Sequence, residues 1–341
     1  MPSKSHLVEI QYLRALAVLL VIWAHLHQGE ARFFSDPAFG SYAYTGFIGV
    51  DVFFVISGYI IHHIYGQQTG LNFRFVLNRL NRIYPLYWMF TLAALAGYFV
   101  MGDSLTQEAT DLDLLASFAL IPTGQPPILL VGWTLTHELY FYLAYGVFLI
   151  VPIACRIWVV GLWVVLTSGF VILSPEGASP WLALIFSPFN FLFLAGAAVS
   201  EFQSIIQNRK WTAFALAFVG GVLAFGWTGT QGLEGLTEPS LRVAVYSGFA
   251  IGVVWSFLAW RPVLPAVFLK LGDWSYALYL SHILVIGVLA RILPRFIDGS
   301  VWASPVYYSL ALMTCLLIGW ISHVVLELPL LKIGKAMIGR A

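Results

Sequence analysis

Apolar runs long enough to cross a bilayer recur along the whole chain, and no other feature constrains its fold as tightly. A spanning helix needs about 20 mostly apolar residues. Segments 9–28, 46–66, 83–101, 134–152, 156–174, 181–200, 211–228, 242–260, 274–293 and 305–327 meet that condition. The run 112–122 is too short, and Pro122, Pro126 and Pro127 follow it. It is expected as an interfacial piece of a long loop at 102–133. The pattern predicts an all-α integral membrane protein, a single bundle of about ten transmembrane helices built from residues 1–341.

Composition closes the alternatives. Of 341 residues, 60% are apolar and 10% are charged, against about 25% charged in ordinary soluble domains. A soluble enzyme, a disordered regulator and a secreted disulfide scaffold are excluded. The two cysteines, Cys155 and Cys315, lie in or beside apolar runs and suggest no disulfide framework. A net charge of +1 gives no reason to expect nucleic acid. No small-residue cleavage site follows the first run, so it is expected to be a retained helix. There is no internal repeat and no low-complexity tract.

Charge distribution orients the chain. With the N-terminus in the cytoplasm, Lys4, Arg74, Arg79, Arg82, Arg156, Arg209, Lys210, Arg261, Lys270, Lys332, Lys335 and Arg340 fall inside. Arg32, Arg242, Arg291 and Arg295 fall outside, and Arg14 lies within the first run. The acids Asp103, Glu108, Asp111, Asp113, Glu176, Glu234 and Glu238 all fall in outer loops. Positive charge concentrates on the cytoplasmic side of membrane proteins. Both termini are therefore expected in the cytoplasm.

Ionisable groups within the hydrocarbon are costly and mark function by default. Arg14 and His25 are eleven residues apart on the first run. Eleven steps of about 100° bring them to one face, about 16 Å apart along the axis. Arg14 lies toward the cytoplasm and His25 in the outer half. Snorkelling of Arg14 and a hydrogen-bonded His25 would explain each alone; the shared stripe favours function. Asp51, in Gly49–Tyr59, and Glu138, in Trp133–Tyr142, open helices that enter from outside, near the depth of His25. Helix capping would explain either carboxylate alone; their convergence with His25 favours function. Arg79 and Arg82 mark the inner start of the third helix and share a face. Positive-inside anchoring explains them, and so does a phosphate-rich ligand arriving from the cytoplasm.

In the ninth run Tyr276, Tyr279 and His282 are spaced by three and form a polar stripe. They are candidates for substrate binding or for hydrogen bonding between helices. His62, His63 and His323 lie near inner helix ends as structural or interfacial groups. Glu327, just before Pro329, is placed to neutralise an inner arginine. Gly248-x-x-x-Gly252 suits helix packing within or between chains. A metal site is not expected: His137-Glu138 begins like a zincin motif, but the second His would fall at Phe141. There is no serine-nucleophile elbow and no Walker loop.

These residues together resemble the membrane-bound acyltransferase-3 family, which includes bacterial O-acetyltransferases of exopolysaccharides, O-antigens and peptidoglycan. Arg14-x10-His25, Gly49–Tyr59, Arg79-x-x-Arg82 before Tyr84-Pro85, and Trp133–Tyr142 with Glu138 carry the likeness. Ser275-Tyr276, Tyr279-Leu280, His282 and Glu327-x-Pro329 add to it. The short N-terminal block is similar to exopolysaccharide acetyltransferases of the succinoglycan type. Nothing resembles the extracytoplasmic esterase-like domain that some members carry.

The resemblance implies a bacterial inner-membrane enzyme that moves an acetyl or other short acyl group from acyl-CoA to a carbohydrate hydroxyl. It implies that His25 is essential and that the arginines engage CoA. His25 is then expected as general base, with Asp51 or Glu138 holding its tautomer; an acyl-His25 intermediate is the variant. The acceptor, a polymer or a lipid-linked sugar, would enter from the outer side. The competing class is a proton-coupled transporter of a small solute, since His, Asp and Glu within the membrane suit a proton relay. Against it, the sequence shows no paired halves with interrupted helices. A membrane partner protein without activity is the third reading.

Overall fold

The computed structural model describes residues 4–70, 73–101, 113–173 and 175–339. Asp103, Glu108, Asp111 and Arg340, counted above, lie outside the described residues, as does the Lys4 side chain. The chain runs α1 (Lys4–Phe33), α2 (Ile48–Tyr65), α3 (Phe73–Met101), the short α4 (Leu114–Ala119), α5 (Gly132–Phe148) and α6 (Arg156–Leu173). It continues through α7 (Pro180–Ile185), α8 (Phe189–Glu201), α9 (Gln203–Ile206), α10 (Lys210–Gln231) and α11 (Pro239–Trp260). The last elements are α12 (Ala266–Ile292), α13 (Pro294–Ile297), α14 (Ala303–Ser322) and α15 (Leu328–Ile338). No strand occurs among the described residues.

Nine helical stretches among the described residues are long and apolar enough to span a membrane. The tenth expected run is α5, which has 17 residues and stops ahead of Pro152, where the pre-proline position disfavours helix. Helices α1, α2 and α12 are the most buried, whereas α6 and α10 turn most of their surface outward. Trp158, Val165 and Ile172 on α6 are 77%, 66% and 80% exposed, as suits side chains that face lipid tails. The protein is a multi-pass membrane protein.

Small residues set the closest helix approaches, as they do where water cannot drive association. A Cβ added at Gly58 of α2 would lie 2.0 Å from the Phe193 carbonyl oxygen of α8. One added at Gly196 would lie 2.0 Å from that of Val55. Gly248 and Gly252 of α11 meet Gly220 and Ala217 of α10, so this motif packs within the chain. At the expected inner end, Arg156 donates to the carbonyls of Gly66, Gln68 and Leu149 at 2.7, 2.6 and 3.2 Å. It thereby ties the end of α2 to the end of α5.

Three elements differ from expectation. Helix α3 begins at Phe73, ten residues before the apolar run, so Arg79 and Arg82 sit well inside the helix rather than at its start. The run 181–200 is broken into α7 and α8, because Pro188 supplies no backbone donor. The carbonyl of Ile185, freed by the break, accepts from Asn190 Nδ2 at 3.0 Å, Trp163 Nε1 at 3.1 Å and Tyr140 Oη at 3.3 Å. One span is therefore interrupted, where the sequence was read as a continuous run. Glu327, at the end of a π-helical segment (His323–Glu327), meets His323 Nδ1 at 2.7 Å, and among the described residues no arginine lies within 4 Å of its carboxylate.

Helix α4 hangs from α3. Tyr87 Oη, Trp88 Nε1 and Tyr84 Oη donate to the carbonyls of Ser117, Phe118 and Ala119 at 2.6, 2.9 and 2.8 Å. These are the C-terminal carbonyls that a helix leaves without partners.

The α2–α8 contact yields a test. Gly58→Ala is expected to lower thermal stability in detergent, by about 1–3 kcal/mol for an overpacked contact. Gly161→Ala, where a Cβ meets nothing within 4 Å, is the control and should leave the melting temperature unchanged or slightly raised. Equal melting temperatures for both variants would contradict the packing.

Candidate active site

Six of the residues singled out from sequence line one cavity of about 250 Å³: Arg14, Arg79, Arg82, Glu138, Tyr276 and Tyr279. Its α2 wall runs from Val50 to Ile64, a rise of about 21 Å at 1.5 Å per residue. The space is therefore long and narrow. Arg14 comes from α1, Arg79 and Arg82 from α3, Glu138 from α5 and the tyrosines from α12.

Among the described residues none of the three arginines has a carboxylate oxygen within 4 Å. Glu138 is the one carboxylate among the lining residues. It accepts from Ser57 Oγ at 3.1 Å and from Tyr142 Oη. Arg79 is instead surrounded by ring faces, 5.4 Å from Tyr142, 5.7 Å from Phe75 and 5.9 Å from Tyr65. Its Nε is buried and has no partner among the described residues. Arg82 lies 5.8 Å from the Tyr276 ring, and Arg14 reaches Gln11 Oε1 at 3.3 Å. Three guanidinium groups against one carboxylate leave the lining cationic. Such a lining suits a polyanion.

His25 lies beyond the Val50 end of this cavity and lines neither it nor the larger cavity described below. Its Nδ1 is 3.0 Å from the Val21 carbonyl and 3.3 Å from Nε2 of His282. His282 Nδ1 in turn is 3.1 Å from the Leu278 carbonyl. A carbonyl only accepts, so each Nδ1 carries the hydrogen. Nε2 of His282 is then an acceptor, and Nε2 of His25 keeps a free lone pair. Tyr279 links the pair to the cavity: its ring is 5.7 Å from His282, and its hydroxyl is 2.8 Å from Thr134 Oγ1. Tyr276 uses its hydroxyl on the Ile83 carbonyl at 2.7 Å.

The carboxylates sit elsewhere than expected. Asp51 is fully buried and forms an ion pair with Arg242 at 2.8 Å. Glu138 faces the arginine cavity. Neither touches His25, whose Nδ1 is already held by Val21 and His282. Arg242 was expected as an outer-loop cation, but α11 starts three residues earlier and turns it inward, over the rings of Trp133, Phe189 and Tyr246. Nothing local to Arg242 signals this; only its partner Asp51, 191 residues away, does. His137, passed over as half of a metal motif, is the other residue that sequence reasoning missed. Among the described residues no group of three or more His, Cys, Asp or Glu could hold a metal ion.

A second cavity of about 710 Å³ opens at the end of the bundle where α4, the α7–α8 break and the start of α11 meet. Trp133, His137 and Arg242 line it. Phe54 separates the two cavities: it lines the narrow one and packs on Trp133 and His137 at ring distances of 6.3 and 6.1 Å.

The acyltransferase-3 family, described as an acyltransferase domain, matches residues 7–324. Exopolysaccharide production protein ExoZ of Rhizobium meliloti is 31% identical over 315 residues, 87% of this chain and 93% of that protein. Peptidoglycan O-acetyltransferase OatA of Listeria monocytogenes is 32% identical over 169 residues, 44% of this chain and 25% of that protein. Acyltransferase MdmB of Streptomyces mycarofaciens is 24% identical, covering 97% of this chain and 93% of its own length. No solved structure matches. The match spans the arginine cavity and the histidine pair alike, and the chain belongs to the acyltransferase-3 family.

Proposed function

We propose that this protein transfers an acyl group, most simply acetyl, from cytoplasmic acyl-CoA to a hydroxyl of a cell-surface or lipid-linked carbohydrate. It would work in the bacterial inner membrane with both termini in the cytoplasm. The observation that carries the donor assignment is the narrow cavity lined by Arg14, Arg79 and Arg82 with no ion-paired carboxylate. Guanidinium forks are the side chains of choice for phosphate. At about 250 Å³ the cavity suits the slender pantetheine arm. The nucleotide phosphates would stay at the inner end with Arg79 and Arg82. The acceptor class comes from the relatives, which are named for exopolysaccharide production and peptidoglycan O-acetylation.

His25 is the base in this scheme. Its Nε2 takes the proton of the acceptor hydroxyl while the hydroxyl oxygen attacks the thioester carbonyl. The C–S bond breaks, the acyl group ends as an ester, and the imidazolium returns the proton to the departing thiolate. His282 is a positioning residue: its Nε2 accepts from His25 Nδ1–H and keeps the reactive lone pair on Nε2. A general base of this kind contributes about 10²–10⁴ in rate.

Two tests follow. Purified His25→Ala should bind CoA as the wild type does while acyl transfer falls by about 10²–10⁴-fold; unchanged turnover would remove His25 from the chemistry. An acyl-enzyme isolated after donor alone would replace the direct route by covalent transfer. The second test concerns orientation. Cys155 is exposed and Cys315 is buried. A membrane-impermeant maleimide should label Cys155 only after the membrane is opened, and labelling on intact cells would reverse the assigned sides.

A further inference from the structure

We infer that the larger cavity is the acceptor site and that it takes a carbohydrate ring, an assignment that rests on the acyl transfer proposed above. About 710 Å³ is in the range of small-molecule sites, about 300–1,000 Å³, and nearly three times the volume of the narrow cavity. Its walls come from 113–127, from 175–189 and from the start of α11. These segments belong to the side on which the acidic loops fall, opposite Arg79 and Arg82.

The lining specifies the ligand chemistry. Trp133 and Phe189 form an apolar wall with ring centroids 5.4 Å apart, a surface for the C–H face of a sugar. Polar groups stand around that wall without protein partners among the described residues. His137 Nδ1 is 2.9 Å from the Trp133 carbonyl, which leaves its Nε2 as a free acceptor. Trp133 Nε1–H is a free donor. Arg242 is 7% exposed, and its Nε and Nη2 are spent on Asp51 and the Phe47 carbonyl, which leaves Nη1 unpartnered. A ring face flanked by separate donors and an acceptor fits a polyol, whose hydroxyls both give and take hydrogen bonds. A phosphate would meet Asp113 and Glu238 on the same lining, and an acyl chain would leave the polar groups unmet.

Backbone geometry points to the same place. A break in a spanning helix is tolerated where it is buried in protein or lines a cavity. Phe186, Ser187 and Pro188, between α7 and α8, line this one. Reach to the donor is short, since Thr134 lines the narrow cavity, Trp133 the wide one, and Phe54 lies between them.

The test uses the natural acceptor in cells, so that its structure need not be known in advance. A strain lacking the gene is complemented with wild type, Ala183→Trp, Thr136→Trp or, as a control that lines neither cavity, Gly161→Ala. Alkali-labile acyl esters on the surface carbohydrate are measured, and CoA binding is measured on each purified protein. Ala183 and Thr136 line the wide cavity and not the narrow one. The expected result is at least tenfold loss of esters with either tryptophan, full esters with Gly161→Ala, and CoA affinity equal to wild type throughout. Full ester content with both tryptophan variants would overturn the acceptor assignment and leave the transferase standing. Failure of wild type to restore any ester would overturn the transferase reading, and the acceptor site with it. A tryptophan variant that loses CoA binding counts as misfolded, and the other then decides.

Discussion

A guanidinium inside a membrane-spanning bundle is costly unless an anion or a polar cavity receives it. Three of them share one narrow cavity here, and the arrangement of α1, α3 and α12 is what brings them together. Arg79 and Arg82 take their places because α3 continues unbroken from Phe73 through Pro85. Neighbours pin that stretch: Tyr276 donates to the Ile83 carbonyl, and Asn81 Nδ2 donates to the Leu331 carbonyl at 3.4 Å. Aromatic faces stand where carboxylates would otherwise neutralise Arg79. The charge is kept available to a ligand.

The second internal charge centre is of a different kind. Asp51 and Arg242 neutralise each other in the buried interior through one carboxylate oxygen, and removing one partner of such a pair typically costs about 3–5 kcal/mol because the other is left buried. The pair fixes the start of α2 against the start of α11. It also places Arg242 beneath the wide cavity, next to the Trp133 ring. One end of the bundle thus holds a paired charge, the other three guanidinium groups against one carboxylate, with the histidine pair and Tyr279 between them.

Much of the site was legible in the sequence because its signals are local. Arg14 and His25 share a stripe through helical periodicity alone, Arg79 and Arg82 are a turn apart, and Tyr276 and Tyr279 line one cavity because they are one turn apart on α12. What was not legible depends on contacts between distant segments. The pairing of Asp51 with Arg242 spans 191 residues, and that of His25 with His282 spans 257; neither leaves a trace in spacing. The break at Pro188 was hidden because residues 181–200 are predominantly apolar, and hydropathy does not register a missing backbone donor. One broken span does not supply the paired, interrupted halves of a transporter, and the family match and the arginine cavity add to the weight against that class.

The central claim is that the narrow cavity reads phosphate through its arginines, and a comparison of ligands tests it most directly. Binding of CoA and of pantetheine, which lacks the nucleotide and its phosphates, is measured calorimetrically on wild type and on Arg79→Ala/Arg82→Ala. The account predicts that wild type prefers CoA by more than tenfold, about 1.4 kcal/mol, and that the double variant loses most of that preference while still binding pantetheine. Equal preference for CoA in both proteins, or none in either, would contradict it.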